Sequence, residues 1–390
     1  MSVLARVLVV SDVFPPRHGG SGRWLWEFYR RLEGVEVQVL AGPADGAAEF
    51  DRTADVSISR WDTTFSTWGV LGITASAAVI KCVRQTVQLA RQRRVDAIHC
   101  GKCLPEGLIG LLSSRWLRLP LWCYVHGEEL TLAHTSRELR WLTGLVLKRA
   151  DRIIANSHNT RHVLAEKWGS VARNVSVLPP AVDTSRFAPA SADVDARRRL
   201  GWSGRKVVLT VGALQKRKGQ DMMIRALPEI RAACPDVLYA IAGEGWERSY
   251  LESLVSEHAV QDAVQFLGTP TDAELVALYQ QCDIFALPNR QIGWDFEGFG
   301  IVLLEAQACG KPVITGTSGG TGEAMDPSRS GLRVDCTAPG PLADACIQLL
   351  QSATRRNELG AAARAWVVER FDWQVRAREG RQLMVADTPR

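Results

Sequence analysis

Nine cysteines occur in 390 residues, but no framework of paired spacings joins them. A disulfide-stapled fold is therefore not expected, and the thiols read as reduced and buried, as in a cytoplasmic protein. Cys100 and Cys103 form a CxxC, yet no second pair follows at zinc spacing. No HExxH, no DxD-like acidic pair after a strand and no His/Cys cluster calls for a metal. Long apolar runs are scarce too. The first, VLARVLVV, is short and lacks a cleavage-like segment, so no signal peptide is expected. The longest uncharged stretch, TTFSTWGVLGITASAAVI (63–80), is marginal in length and rich in Ser, Thr and Gly, a poor spanning helix. Internal repeats and low-complexity tracts are absent as well.

What is present fits a globular chain, with 46% hydrophobic and 23% charged residues. The length exceeds one compact core, so two or three domains are expected. Charge is uneven. Through residue 190 there are 24 Lys plus Arg against 17 Asp plus Glu, whereas the remainder carries 23 against 25. A basic first half suits an anionic partner, although a solvated basic surface has the same composition.

Short β-rich runs alternate with helical patterns. Strands are predicted at 5–12, 35–42, 96–101, 121–127, 151–157 and 175–183. The stretch 183–206, rich in Ser, Pro, Ala, Gly and charge, reads as an interdomain linker. A second series follows at 206–214, 237–245, 264–268, 283–289 and 311–316. The alternation predicts an α/β fold: two tandem Rossmann-like domains with doubly wound parallel sheets, ligands binding in an interdomain cleft at strand carboxyl ends.

Three stretches carry the chemistry. DVFPPRHGGSGRW (12–24) lies between a strand and a helix, and Gly19, Gly20 and Gly22 would let backbone N–H groups approach an anion. Seven residues separate the strand from these glycines, which speaks against a dinucleotide fingerprint; a plain loop is the alternative. GALQKRKGQD (212–221) places Lys216, Arg217 and Lys218 after a strand, where a diphosphate or only solvent could meet them. DFEGFGIVLLEAQACGKPVI (295–314) sets Glu297 just before an apolar helix ended by Gly310 and Glu305 two turns into it. Carboxylates accept paired hydrogen bonds from sugar hydroxyls, and Glu305 on so apolar a helix needs a partner.

These stretches, with HGEE (126–129), ADRIIANS (150–157), VLPPAVDTSRF (177–187), VQFLGTPTDAEL (264–275), CDIFALPN (282–289), TSGGTGEA (317–324) and RFDW (370–373), resemble in order the retaining nucleotide-sugar glycosyltransferases of the GT-B fold, the glycosyl transferases group 1. The likeness covers nearly the whole chain and is greatest to bacterial mannosyltransferases acting on phosphatidylinositol. It implies that Glu297, with the backbone of Gly298, Phe299, Gly300 and Ile301, holds the transferred sugar and the diphosphate. Glu305 would hold the ribose, Lys218 the diphosphate, and Gly19 and Gly20 would approach it from the other domain. His126 would lie near the reacting sugar. Asp272 falls where some relatives bind guanine, while TDAE (271–274) also reads as a helix capping box. The chain departs from the family at Ala213, where an Arg is common; Arg217 stands nearby to replace it.

The resemblance implies domains at 1–190 (acceptor side) and 191–370 (donor side), with a helix at 371–390 packing back on the first. It implies metal-independent hexose transfer with retention, from GDP-mannose or next a UDP-sugar, to a lipid-linked or polysaccharide acceptor. No cofactor and no nucleic acid enter. An anionic membrane surface is a further expected partner, met by Arg17, His18, Arg23, Lys102 and the apolar 107–122 segment, which reads equally as a buried helix and turn. Two other readings stay open: an epimerase or hydrolase of the same architecture, and a silent nucleotide-sugar binder.

Overall fold

The computed structural model describes residues 5–17, 19–65, 69–70, 72–169 and 174–386. Seven strands form the first sheet: β1 (Ala5–Ser11), β2 (Val35–Ala41), β3 (Ser57–Arg60), β4 (Ala97–Cys100), β5 (Leu121–Val125), β6 (Arg152–Ala155) and β7 (Val175–Val177). They lie in the order β3-β2-β1-β4-β5-β6-β7, every neighbouring pair parallel. Six more form the second: β8 (Lys206–Val211), β9 (Val237–Ala242), β10 (Val264–Gly268), β11 (Ile284–Leu287), β12 (Val313–Gly316) and β13 (Gly331–Val334). Their order is β10-β9-β8-β11-β12-β13, again all parallel.

The expected pair of Rossmann-like sheets is therefore present. Helices cover both faces of a parallel sheet, so its central strands must be apolar on both sides. Val7 to Val10 in β1 and Val207 to Leu209 in β8 are accordingly buried without alternation. β3 and β13 are not among the strands predicted from the sequence. Both are four-residue edge strands, only partly buried, and their SISR and GLRV carry polar residues that a central strand would exclude.

The chain forms two compact units, Met1–Pro180 with Trp373–Arg390, and Ala181–Asp372. The helix Trp373–Ala386 belongs to the first, where Gly380 lies against the Phe28 ring so closely that a Cβ would come within 2.2 Å. The stretch 183–206 is not a free linker. Asp193 caps the helix Val194–Arg199, and the fully buried Trp202 donates its indole N–H to Gln265 at 2.8 Å. One buried tryptophan ties down a segment whose composition reads as loose.

All nine cysteines are buried and free. Cys103 lies 3.8 Å from Cys123; that hydrogen bond and then burial push the Cys103 thiol well up, and burial does the same to Cys100, so the CxxC holds no reactive thiolate. Among the described residues, no helix is long and apolar enough to cross a membrane.

Candidate active site

In the second sheet the chain winds outward in opposite directions from β8 and β11, and the crevice beyond their carboxyl ends is where such sheets bind ligands. Three loops meet there: 212–221 after β8, 288–300 after β11 and 317–323 after β12. Lys218 closes the short turn Lys216–Lys218 and places its Nζ 2.6 Å from Glu297 Oε2. The Arg217 Nε lies 3.7 Å from that same oxygen and 3.7 Å from Asp295 Oδ1. Lys218 and Glu297 are 9% and 8% exposed, so both charges are largely out of water. Burial alone would raise the Glu297 pKa; Lys218 and Arg217 outweigh it and hold the carboxyl below its ordinary value. The carboxylate is ionised at neutral pH and held against two cations.

The main chain fixes this group as firmly as its side chain does. The Glu297 carbonyl accepts the N–H of Gly320 at 2.9 Å. Asn289, 1% exposed, links the loops further: its Oδ1 accepts from Gly316 N and Thr315 Oγ1, and its Nδ2 donates to the Ser318 carbonyl at 2.7 Å. Gly300 takes a left-handed conformation and starts the helix Ile301–Ala308, as expected, with Gly310 past its end. The first N–H groups of that helix have no intrahelical partner and suit an anion. Phe299 contributes only backbone, since its side chain sits in the core beside Phe371.

Glu305 is buried and has the partner its position demands. The hydroxyl of Tyr279, fully buried, donates to Glu305 Oε2 at 2.7 Å. Asp272 stands apart in its contacts, pairing with Arg186 at 3.1 Å on a largely exposed side chain. The capping box is as read, with Thr271 and Glu274 exchanging hydrogen bonds at the start of the helix Asp272–Gln281. Thus Arg217, Lys218, Glu297 and the segment Gly298–Ile301 come together, while Glu305 and Asp272 bond to Tyr279 and Arg186.

The first unit carries the remaining predicted residues. Gly19 and Gly20 open the helix Gly20–Tyr29. A Cβ on Gly20 would meet nothing within 4 Å, whereas one on Gly22 would sit 2.2 Å from the Val13 carbonyl, so packing demands the third glycine. His126, after β5, pairs through Nε2 with the Gly101 carbonyl at 2.9 Å and stands edge-on to Trp24. Burial and the nearby Lys102 push its pKa down to about 3, which leaves a neutral imidazole. Arg17 pairs with Asp12 at 3.3 Å. Arg23 lies in the helix Gly20–Tyr29, and His18 is outside the described residues. The segment 107–122 is mostly a buried helix, Leu108–Leu117, running into β5.

Four carboxylates or partners escaped the sequence reading. Glu106 and Glu129 are buried beneath the strand ends, accepting the N–H groups of Asp12 and His126 at 2.9 and 2.8 Å. Burial raises each to about 7. Asp221 and Arg290 form a bidentate pair at 2.8 and 2.7 Å. The only signal for Arg290 was a charge directly after the strand-end motif CDIFALPN.

Two tandem Rossmann-like units of this kind define the GT-B architecture. Anabaena HepE, solved with UDP-glucose, superposes with a TM-score of 0.83 at 21% identity over 98% of this chain and 100% of that one. A sucrose-phosphate synthase from Thermosynechococcus elongatus gives 0.80 at 21% identity over 97% and 98%. The model described as Glycosyl transferases group 1 matches residues 194–366, and that of Glycosyltransferase Family 4 matches 18–186. The GDP-mannose-dependent alpha-(1-6)-phosphatidylinositol monomannoside mannosyltransferase of Mycolicibacterium smegmatis is 35% identical over 394 residues, 97% of this chain and 98% of that protein. Its Mycobacterium tuberculosis namesake is 34% identical, covering 96% of both chains. The chain belongs to the glycosyl transferases group 1 family and is a glycosyltransferase.

Proposed function

We propose that this enzyme transfers mannose from GDP-mannose to a lipid-linked acceptor, with retention and without a metal ion. The observation that carries the donor half is the cluster of Lys218, Arg217 and Glu297 at the β8/β11 switch point. An arriving diphosphate would compete with Glu297 for the two cations and add the N–H groups at Gly300 and Ile301. The released carboxylate then accepts hydrogen bonds from the sugar. As the bond from the anomeric carbon to the diphosphate oxygen breaks, Lys218 and Arg217 meet the charge that develops, the role a metal would otherwise play. The acceptor oxygen bonds the anomeric carbon on the face the diphosphate leaves, and its proton passes to the departing phosphate. Glu305 would hold the ribose, Asp272 the base, Gly19 and Gly20 would approach the diphosphate, and His126 would lie near the reacting sugar. The named activity of the mycobacterial relatives supports mannose and a lipid acceptor.

Of the two units, Met1–Pro180 with Trp373–Arg390 would serve the acceptor and Ala181–Asp372 the donor. The proposed location is the inner face of a membrane. In its favour, the helices Ile73–Arg93, Leu108–Leu117 and Arg137–Arg149 expose Ile80, Leu112, Trp116 and Trp141 among basic residues such as Lys81, Arg84 and Arg91. Co-sedimentation with anionic but not neutral vesicles is expected; equal failure with both would remove the membrane from the proposal.

The deciding experiment is a thermal-shift panel of GDP, UDP and their sugars, followed by incorporation of labelled mannose from GDP-mannose into a membrane lipid extract. Stabilisation by UDP alone would sink the mannose assignment. A second reading, a silent binder, is favoured by Ala213, and stabilisation without incorporation into any extract would select it.

A further inference from the structure

Asp221 and Arg290 are 5% and 9% exposed, and no ligand contact proposed above uses them. Burying two charges is expensive, and an apolar pair of the same shape is often as stable or more so. Stability alone is thus a poor account of this pair. What a bidentate fork supplies instead is a fixed mutual orientation of the elements that carry its two halves.

The two halves sit on the elements that form the cation–carboxylate cluster. Asp221 lies in the first turn of the helix Gln220–Ala233, and Arg290 follows β11. Arg290 also donates its backbone N–H to the carbonyl of Arg217 at 2.9 Å. One residue therefore grips both ends of the span 217–221, inside which Lys218 lies. The span passes so close to the β11 end that a Cβ on Gly219 would fall 1.8 Å from the Pro288 carbonyl. On the other side of Arg290, Ile292 and Asp295 exchange both backbone hydrogen bonds at 2.9 Å, which stiffens the path to Glu297. Asp295 then returns to Arg217 at 3.7 Å. The loop of connections is closed.

We infer that Asp221 and Arg290 are positioning residues: their buried pair sets Lys218 and Arg217 against Glu297, and with them the cradle offered to a nucleoside diphosphate. This rests on the donor-site reading proposed above. Neither residue touches the diphosphate; each acts through the span 217–221.

The test is calorimetric titration of GDP and UDP into the full chain, its Asp221→Asn variant and its Arg290→Lys variant, with a urea unfolding curve for each. Asp221→Asn keeps the shape and removes the charge; Arg290→Lys keeps the charge and removes the fork. Both should weaken binding of the preferred nucleotide by about ten- to a hundredfold per folded molecule, the worth of one displaced charged hydrogen bond. Asp221→Glu should recover part of the loss. Lower urea midpoints with unchanged affinity would make the pair merely structural and overturn the inference. Loss of affinity in Arg290→Lys alone would overturn it too, since Arg290 would then act on the ligand directly. If the unaltered chain binds neither nucleotide, the donor-site reading fails and this inference falls with it.

Discussion

Glu297 is where the charges of the second unit converge, and its two functions can be separated by substitution. Lys218→Ala removes its 2.6 Å partner and should weaken binding of the nucleoside diphosphate by about ten- to a hundredfold, the worth of a charged hydrogen bond. Glu297→Ala should instead lower kcat, with a smaller effect on binding of the nucleotide lacking a sugar. Steady-state kinetics beside calorimetry would expose a wrong assignment if the two variants behaved alike. Glu106 and Glu129 make a second residue-level prediction. Their folded pKa values near 7 stand above the ordinary 4.5, so between those limits the folded chain holds more protons than the unfolded one. Their contribution to stability is full below about 4.5 and is lost as pH rises through 7. His99 and His126, held near 3, act in the opposite sense, losing stability as pH falls below 6.5. Against that background Glu106→Gln should gain on the unaltered chain, on the order of 3 kcal/mol, between pH 5 and pH 8. Urea unfolding at both pH values measures it, and parallel curves would refute the shift.

The central strands and the capping box could be read from sequence because each is local: period, run length and the S/T-x-x-E spacing lie within a few residues. The same holds for the helix after Gly300, whereas Lys218 and Glu297, distant in sequence, are joined only through the donor roles the resemblance implies, and their direct ion pair is not among those. What could not be read depends on distant pairs. Arg290 and Asp221 are 69 residues apart, and Tyr279 finds Glu305 across 26. The edge strands β3 and β13 are four residues long and interrupted by Ser57, Ser59, Arg60 and Arg333, too short an apolar run to stand out, whereas the edge strands β7 and β10 are legible. Buried Trp202 turned a stretch of loop-like composition into part of a domain. At this scale Tyr279→Phe tests the partner of Glu305. It should cost about 1.5–3 kcal/mol in urea unfolding, because a buried carboxylate loses a donor. An unchanged midpoint would mean that the hydroxyl contributes nothing there.

The chain passes between its two units twice, at Pro180 and again at Asp372, so the first unit is discontinuous in sequence. Truncation after Asp372 should therefore damage the unit whose strands are far away, exposing Phe28, and leave the second unit folded. Limited proteolysis of the truncated chain should degrade the first unit while a fragment spanning Ala181–Asp372 persists; loss of both together would contradict the division. The same connectivity imposes an order in time on the ribosome. The first unit emerges first, yet its last helix is made only after all of Ala181–Asp372 has been translated. At ordinary elongation speeds, about 5–20 residues per second, this leaves Phe28 uncovered on the order of 10–40 s. The nascent first sheet must stay soluble through that interval, waiting for the helix that carries Gly380.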